Sequence, residues 1–234
     1  MIIITFCDNI KNQNYQLLKK NISIQKYKFV NLFTGNNPFN GFFNRWLYIS
    51  NYLKIINENE DVVILDGLDM FLIGSLENLK KEIRNGIILY GMHNRNQRLY
   101  LKNTCNRNCG ILIGKAKNIL ELSGYFVKTS QEQRKFFKDC DQSYFNYMLN
   151  NSLIPQLIFK NTHLIYMNND EVDPKFSVFY HAIGMNDFYL LKTKKRLAEF
   201  GIKSDLKLNL KRYFSYLSKW FQIELKIFLN ICSK

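Results

Sequence analysis

The residues whose types and spacing carry the most chemistry are Asp66-Gly67-Leu68-Asp69, two carboxylates bracketing a glycine. They follow Asp61 and the apolar run Val62-Val63-Ile64-Leu65, which reads as a buried strand of a mostly parallel sheet. Open α/β sheets bind their ligands at the carboxyl ends of such strands. Two carboxylates on one turn there can converge on a hard divalent cation, which in turn can hold a diphosphate. Asp and Gly are also ordinary turn formers, so the same four residues suit a plain strand-to-loop turn.

Two further places could add to that chemistry. Ser177 to Gly184 is a β-run that delivers His181 to a glycine-containing turn. Histidine there suits either a metal or ordinary hydrogen bonding. Asp139-Cys140-Asp141-Gln142 opens a helix that runs through Tyr144, Phe145, Tyr147, Met148 and Leu149. An aspartate at such a point also suits a helix cap.

The elements that must position these residues follow an α/β order. Ile2 to Phe6 reads as a buried strand ending at Cys7-Asp8-Asn9, Gln13 to Lys20 as a helix, and Tyr27 to Val30 as a second strand. This is a β-α-β opening of the nucleotide-binding type without a glycine-rich phosphate loop, which argues against dinucleotide and P-loop enzymes. Thr34 to Gly41 is a loop by its turn chemistry. A helix from about Phe43 to Asn57 buries Trp46, Leu47, Ile49, Leu53 and Ile56. Phe71 to Lys81 reads as a turn and short helix, Gly86 to Tyr90 as a strand, and Gly91 to Asn108 as a basic loop. Asn108 to Gly114 is a strand bounded by glycines, followed by a helix at 116–126 and then a polar linker. Short strands follow around Leu157–Phe159 and Leu164–Met167.

The 234 residues suit one sizeable domain with an appendage. A hydrophobic content of 47% and an aromatic content of 15% build a core, which excludes general disorder. The five cysteines, Cys7, Cys105, Cys109, Cys140 and Cys232, are scattered without a zinc-binding pattern and read as reduced thiols of a cytoplasmic protein. The apolar start, Met1 to Phe6, is too short for a signal peptide, and no run of about 20 apolar residues spans a membrane.

Residues 191–234 differ in kind from 1–190. They hold eleven Lys/Arg against three Asp/Glu, a net +8 (11 − 3) out of the chain's +14. Leu210, Tyr213, Phe214, Leu217, Trp220, Phe221, Leu225 and Phe228 recur at helical spacing among these cations. This basic amphipathic helical tail suits either the inner face of a membrane, as a peripheral contact, or packing on the domain. Nucleic acid is a weaker fit, because neither sheet aromatics nor a helix-turn-helix pattern accompanies the charge.

In this order the motifs resemble those of GT-A fold glycosyltransferases, and in detail the glycosyltransferase domain of procollagen lysyl hydroxylases with its bacterial and viral relatives. The resemblance covers roughly residues 1–188. It rests on Ile3-Ile4-Thr5-Phe6-Cys7-Asp8, Gly41 to Leu47, Asp66-Gly67-Leu68-Asp69, Asn108-Cys109-Gly110 with Ile113-Gly114, Asp141-Gln142, and His181 with Gly184. Leu68 stands where the family has an aromatic, Phe43 where it has a lysine, and Phe39 is nearest to a missing tryptophan.

The resemblance implies a Rossmann-like mixed, mostly parallel sheet flanked by helices. It implies a nucleotide-sugar donor, UDP-linked by preference, and transfer to a hydroxyl of a glycan, lipid-linked or protein acceptor. Asp66, Asp69 and His181 would hold Mn²⁺ or Mg²⁺, with the imidazole favouring Mn²⁺. Thr5, Phe6, Cys7, Asp8, Arg45, Gly67, Leu68, Asn108, Gly110 and Gly184 would line the donor site, with Arg45 at phosphate. Asp141 and Gln142 would orient the acceptor hydroxyl or the donor sugar. Two other classes compete. A nucleotidyltransferase also uses paired aspartates, but the first lysine or arginine is Lys11, so a basic N-terminal phosphate loop is missing. A non-enzymatic basic protein binding membrane or nucleic acid would use the aspartates only as turns.

Overall fold

A computed structural model describes residues 1–33, 41–92, 107–167, 177–181 and 194–202. Gly184, Phe39, the loop at 93–106 and the aromatic stripe beyond residue 202 lie outside the described residues. The chain divides into two compact units, Met1–His181 and Ala182–Lys234. In the second, 194–199 is helical. No described helix is long and apolar enough to cross a membrane.

The first unit opens with β1 (Ile2–Phe6), α1 (Gln13–Ile24), β2 (Lys28–Asn31), α2 (Phe42–Leu53), β3 (Asp61–Asp66), β4 (Met70–Leu72) and α3 (Leu76–Lys80). It continues with β5 (Ile87–Met92), β6 (Arg107–Lys115), α4 (Ala116–Lys128), α5 (Gln131–Phe136) and α6 (Asp141–Asn150). The short strands β7 (Ile158–Asn161), β8 (Ile165–Met167) and β9 (Phe179–His181) complete it. The central sheet has the order β2-β1-β3-β6-β5-β7. β1 pairs in parallel with β2 and β3, β6 runs antiparallel to both β3 and β5, and β5 is parallel to β7. Five strands therefore point one way and β6 alone runs counter, as the expected mixed, mostly parallel sheet requires.

Alternation explains why β1 and β3 read as unbroken apolar runs. Ile2, Ile4, Val62 and Ile64 join one buried cluster with Trp46, Ile49, Leu122, Phe126 and Phe145 from α2, α4 and α6. Ile3, Val63 and Leu65 are equally buried and point to the opposite face. A strand covered on both sides has no polar face to show. The rings of Trp46 and Phe126 stack at 4.2 Å and 4°, fixing α2 on α4 with about 1 kcal/mol beyond their buried area.

Leu47, expected on the buried face of α2, is 46% exposed, and two elements differ from the expectation. Phe71 and Leu72, expected within a turn and short helix, join Met70 in β4, part of a second sheet of order β4-β9-β8. The stretch expected as a polar linker contains α5, started by a capping box between Ser130 and Gln133.

The second sheet carries the far ligand candidate to the first. Met70 pairs with His181 across antiparallel β4 and β9. Beyond them Ile73 and Gly74 donate their backbone N–H groups to Val178 O at 2.9 and 3.1 Å. The chains approach so closely that a Cβ on Gly74 would lie 2.4 Å from Ser177 O. Gly74→Ala is therefore expected to push β9 away and cost about 1–3 kcal/mol, seen as a lower urea midpoint. An unchanged midpoint would show that the contact yields freely.

Candidate active site and metal centre

The acidic turn begins where β3 ends. Its tightness comes from the floor beneath Gly67, where a Cβ would lie 2.6 Å from Cys7 Cβ and 2.8 Å from Thr5 Oγ1. Thr5 is buried and its hydroxyl donates to Leu65 O at 2.9 Å. Cys7 is buried and zipped to β2, its N–H donating to Asn31 Oδ1 at 3.0 Å and its carbonyl accepting from Asn31 Nδ2 at 2.9 Å. Thr5 and Cys7 therefore support the turn from below. Phe6 packs its ring against Phe33 and Tyr48, Asp8 is exposed, and Leu68 presents a 38% exposed side chain between the two aspartates.

Asp66, Asp69 and His181 each place one candidate ligand atom within 4.8 Å of the others. Asp69 Oδ2 lies 3.4 Å from His181 Nε2. The imidazole is 1% exposed, yet its Nδ1 is buried without a hydrogen-bond partner. A histidine placed for structure alone is normally bonded at both nitrogens. Two carboxylates and one imidazole converging in this way suit a divalent cation.

Around the triad runs a buried charge network. Arg45 Nη1 donates to Asp66 Oδ1. Its Nε and Nη2 reach Asp141 Oδ2 at 2.9 and 2.7 Å, and Nη2 lies 3.7 Å from Cys109 Sγ. Trp46 Nε1 donates to the same Asp141 oxygen at 2.9 Å, while Cys109 Sγ lies 3.5 Å from Asp141 Oδ1. The cap of α6 is Cys140, not an aspartate. Asp141 is instead the first helical residue, 3% exposed, with its carboxylate committed to Arg45 and Trp46. Gln142 follows it, half-buried. Gly110 is buried in β6, and Asn108 pairs its backbone with Gly91 beside the register shift at Tyr90/Gly91. The side chain of Asn108 lies outside the described residues.

Trp46 and Cys109 belong to this site although their sequence context reads only as core and strand. The available signal was chemical: a buried indole needs an acceptor for its N–H, and Trp46 directly follows Arg45.

The network also sets the proton affinities. Burial pushes Asp66 up, Arg45 pulls it down and Asp69 pushes it up again, for a net rise. Burial pushes His181 down, but the charge and hydrogen bond of Asp69, with the charge of Asp66, more than reverse this, so it too is raised. Burial opposes the charge on Arg45, and Asp141 followed by Asp66 override it to hold the guanidinium well above its ordinary value.

The sequence matches no protein-family model and no curated protein. The architecture is that of the GT-A glycosyltransferase fold. Among solved structures, the chain is similar to a glycosyltransferase involved in the glycosylation of the major capsid of PBCV-1. That match has a TM-score of 0.56 and 14% identity, covering 79% of this chain and 93% of that one. It is also similar to the galactosyltransferase LgtC in complex with donor and acceptor sugar analogs, with a TM-score of 0.53 and 14% identity over 88% and 98% of the two chains. A third match is an active-site glutamine-to-glutamate mutant of LgtC, with a TM-score of 0.52 and 15% identity over 86% and 95%.

Two outcomes follow from the charges. Arg45→Met strands Asp66 and Asp141 and is expected to cost about 3–5 kcal/mol, with part recovered in Arg45→Met/Asp141→Asn. Full additivity in urea denaturation would contradict the coupling. Because His181 binds its proton more tightly folded than unfolded, its contribution is complete below about pH 6.5 and disappears as pH rises through the raised folded value. Asp66 acts in the same direction at lower pH. In EDTA the urea midpoint should thus fall between about pH 5.5 and about pH 8, and His181→Asn should flatten that fall.

Proposed function

We propose that this protein is a metal-dependent glycosyltransferase that moves a sugar from a nucleotide-sugar donor, UDP-linked by preference, to an acceptor hydroxyl. The observation that carries this reading is the Asp66–Asp69–His181 cluster at the carboxyl edge of the sheet, whose candidate ligand atoms lie within 4.8 Å of one another. These three residues would hold Mn²⁺, or Mg²⁺, and the nitrogen donor favours Mn²⁺. The bound ion would supply Lewis-acid stabilisation of the departing diphosphate.

The chain's own residues would do the rest. Arg45, saturated by Asp66 and Asp141, keeps the Asp66 carboxylate in place beside the diphosphate and adds a fixed positive charge behind it. Asp8 and Leu68, both exposed, would meet the nucleoside. Asp141 sets the start of α6, and Gln142 beside it is the polar group assigned to the sugar or the acceptor hydroxyl. Gly110 leaves room at the β6 wall.

The glycosyltransferase reading is also supported by the two matched enzymes, one involved in the glycosylation of the major capsid of PBCV-1 and one a galactosyltransferase. The finer likeness to the lysyl hydroxylase domain rests on the order of the sequence motifs. The basic, aromatic tail at 191–234 suits an anionic membrane surface and hence a lipid-linked or surface-glycan acceptor.

The deciding experiment is donor hydrolysis across UDP-, GDP- and CMP-sugars, with Mn²⁺ and with EDTA, for wild type and Asp69→Ala. The expected outcome is Mn²⁺-dependent turnover of one donor class, reduced roughly a hundredfold or more in the mutant. Turnover that survives both EDTA and the mutation would rule out the metal mechanism. For the tail, full-length protein should sediment with anionic liposomes while a 1–190 truncation stays in solution. Equal partitioning would sink the membrane contact.

A further inference from the structure

Asp69 and His181 are separated by more than a hundred residues, and what holds them face to face is the pairing of β4 with β9. The flanks of β4 are tied in turn to α1 by side-chain amides at the two ends of that helix. At its start, Asn14 Nδ2 donates to Leu68 O at 2.9 Å. At its end, Gln25 Nε2 donates to Gly74 O at 2.9 Å, and Gln25 Oε1 accepts from Leu76 N at 2.9 Å. Between these clamps lie Asp69 and the buried residues Met70, Phe71 and Leu72.

We propose that Asn14 is a positioning residue for the metal-binding turn, with Gln25 as its counterpart at the other end of β4. The reason is geometric. The Leu68 carbonyl and the Asp69 N–H share one planar peptide unit, so a bond that fixes the carbonyl also fixes the orientation in which Asp69 leaves the turn. Asn14 is itself held, because its backbone N–H donates to the side chain of Asn12 at 2.8 Å and Tyr15, Leu18 and Ile22 bury the helix behind it. At 4% exposure, Asn14 touches no substrate and acts only through the turn. Asp66 is anchored by Arg45 from the α2 side, whereas Asp69 pairs with His181, itself a candidate ligand, and α1 supplies a restraint from outside the cluster. Groups behind the ligands of a metal site typically change affinity by about 10–100-fold when removed.

The proposal rests on the metal reading above, and the test separates the two. Mn²⁺ binding would be measured calorimetrically on the EDTA-stripped full chain for wild type, Asn14→Leu, Gln25→Met and Leu18→Val, with a urea midpoint for each. Leu18→Val loosens the packing of α1 but leaves both amides. The expected result is a Kd for Mn²⁺ raised about tenfold in Asn14→Leu, raised less in Gln25→Met, and unchanged in Leu18→Val. A Kd at the wild-type value in Asn14→Leu would overturn the proposal, as would an equal loss in Leu18→Val, which marks mere destabilisation. If Asn14→Leu does not fold, Gln25→Met decides, and an unchanged Kd there overturns the proposal. Folded wild type that binds no Mn²⁺ would overturn the metal reading itself, and the positioning role with it.

Discussion

The guanidinium of Arg45 sits buried between Asp66 at the end of β3 and Asp141 at the start of α6, and the layout of the sheet's carboxyl edge depends on that pairing. Each buried ion costs several kcal/mol of hydration, recovered only when its remaining hydrogen-bonding groups are also filled. Here they are filled from four elements. α2 supplies Arg45 and the Trp46 N–H, β3 supplies Asp66, α6 supplies Asp141, and β6 supplies the Cys109 thiol. A shift in any of these would leave a charge stranded, so the network fixes their mutual register more tightly than apolar packing would.

The other half of the site depends on close backbone approach. Gly67 lets the acidic turn lie against Thr5 and Cys7, and Gly74 lets the chain after β4 meet Ser177. These two contacts draw the second sheet inward until Asp69 and His181 are 3.4 Å apart. Charge therefore places Asp66, while close backbone approach and the β4–β9 pairing place Asp69 and His181. The outcome is a cluster of two carboxylates and an imidazole in which Asp66 and His181 hold their protons more tightly than usual.

Much of the central sheet was legible because β1 and β3 are covered on both faces and so read as continuous apolar runs. α4 was legible from its periodicity and from the glycine-bounded strand before it. β4 was not, since three apolar residues between a turn and Ile73-Gly74 carry no period, and only pairing with residues 179–181 makes them a strand. α5 was hidden in a polar stretch, although its Ser130-to-Gln133 spacing was the available sign. The aspartate at α6 reads equally as a cap or as a functional group. Its first helical position and its bonds to Arg45 and Trp46 separate the two.

By itself, then, the sequence determined which residues could serve: a carboxylate pair at a strand end, a histidine on a late β-run, an arginine on the second helix, and an Asp-Gln helix start. Local chemistry suffices for that, because strand ends, turns and helix starts are written in neighbouring residues. Tertiary structure decided which partners each residue took. Arg45, a candidate for phosphate from its motif, has its donors on Asp66 and Asp141, and Thr5 and Cys7 form the floor of the acidic turn. Those assignments turn on burial and on contacts between residues 21 to 96 positions apart, where a charge out of water takes whichever opposite charge the fold brings within reach.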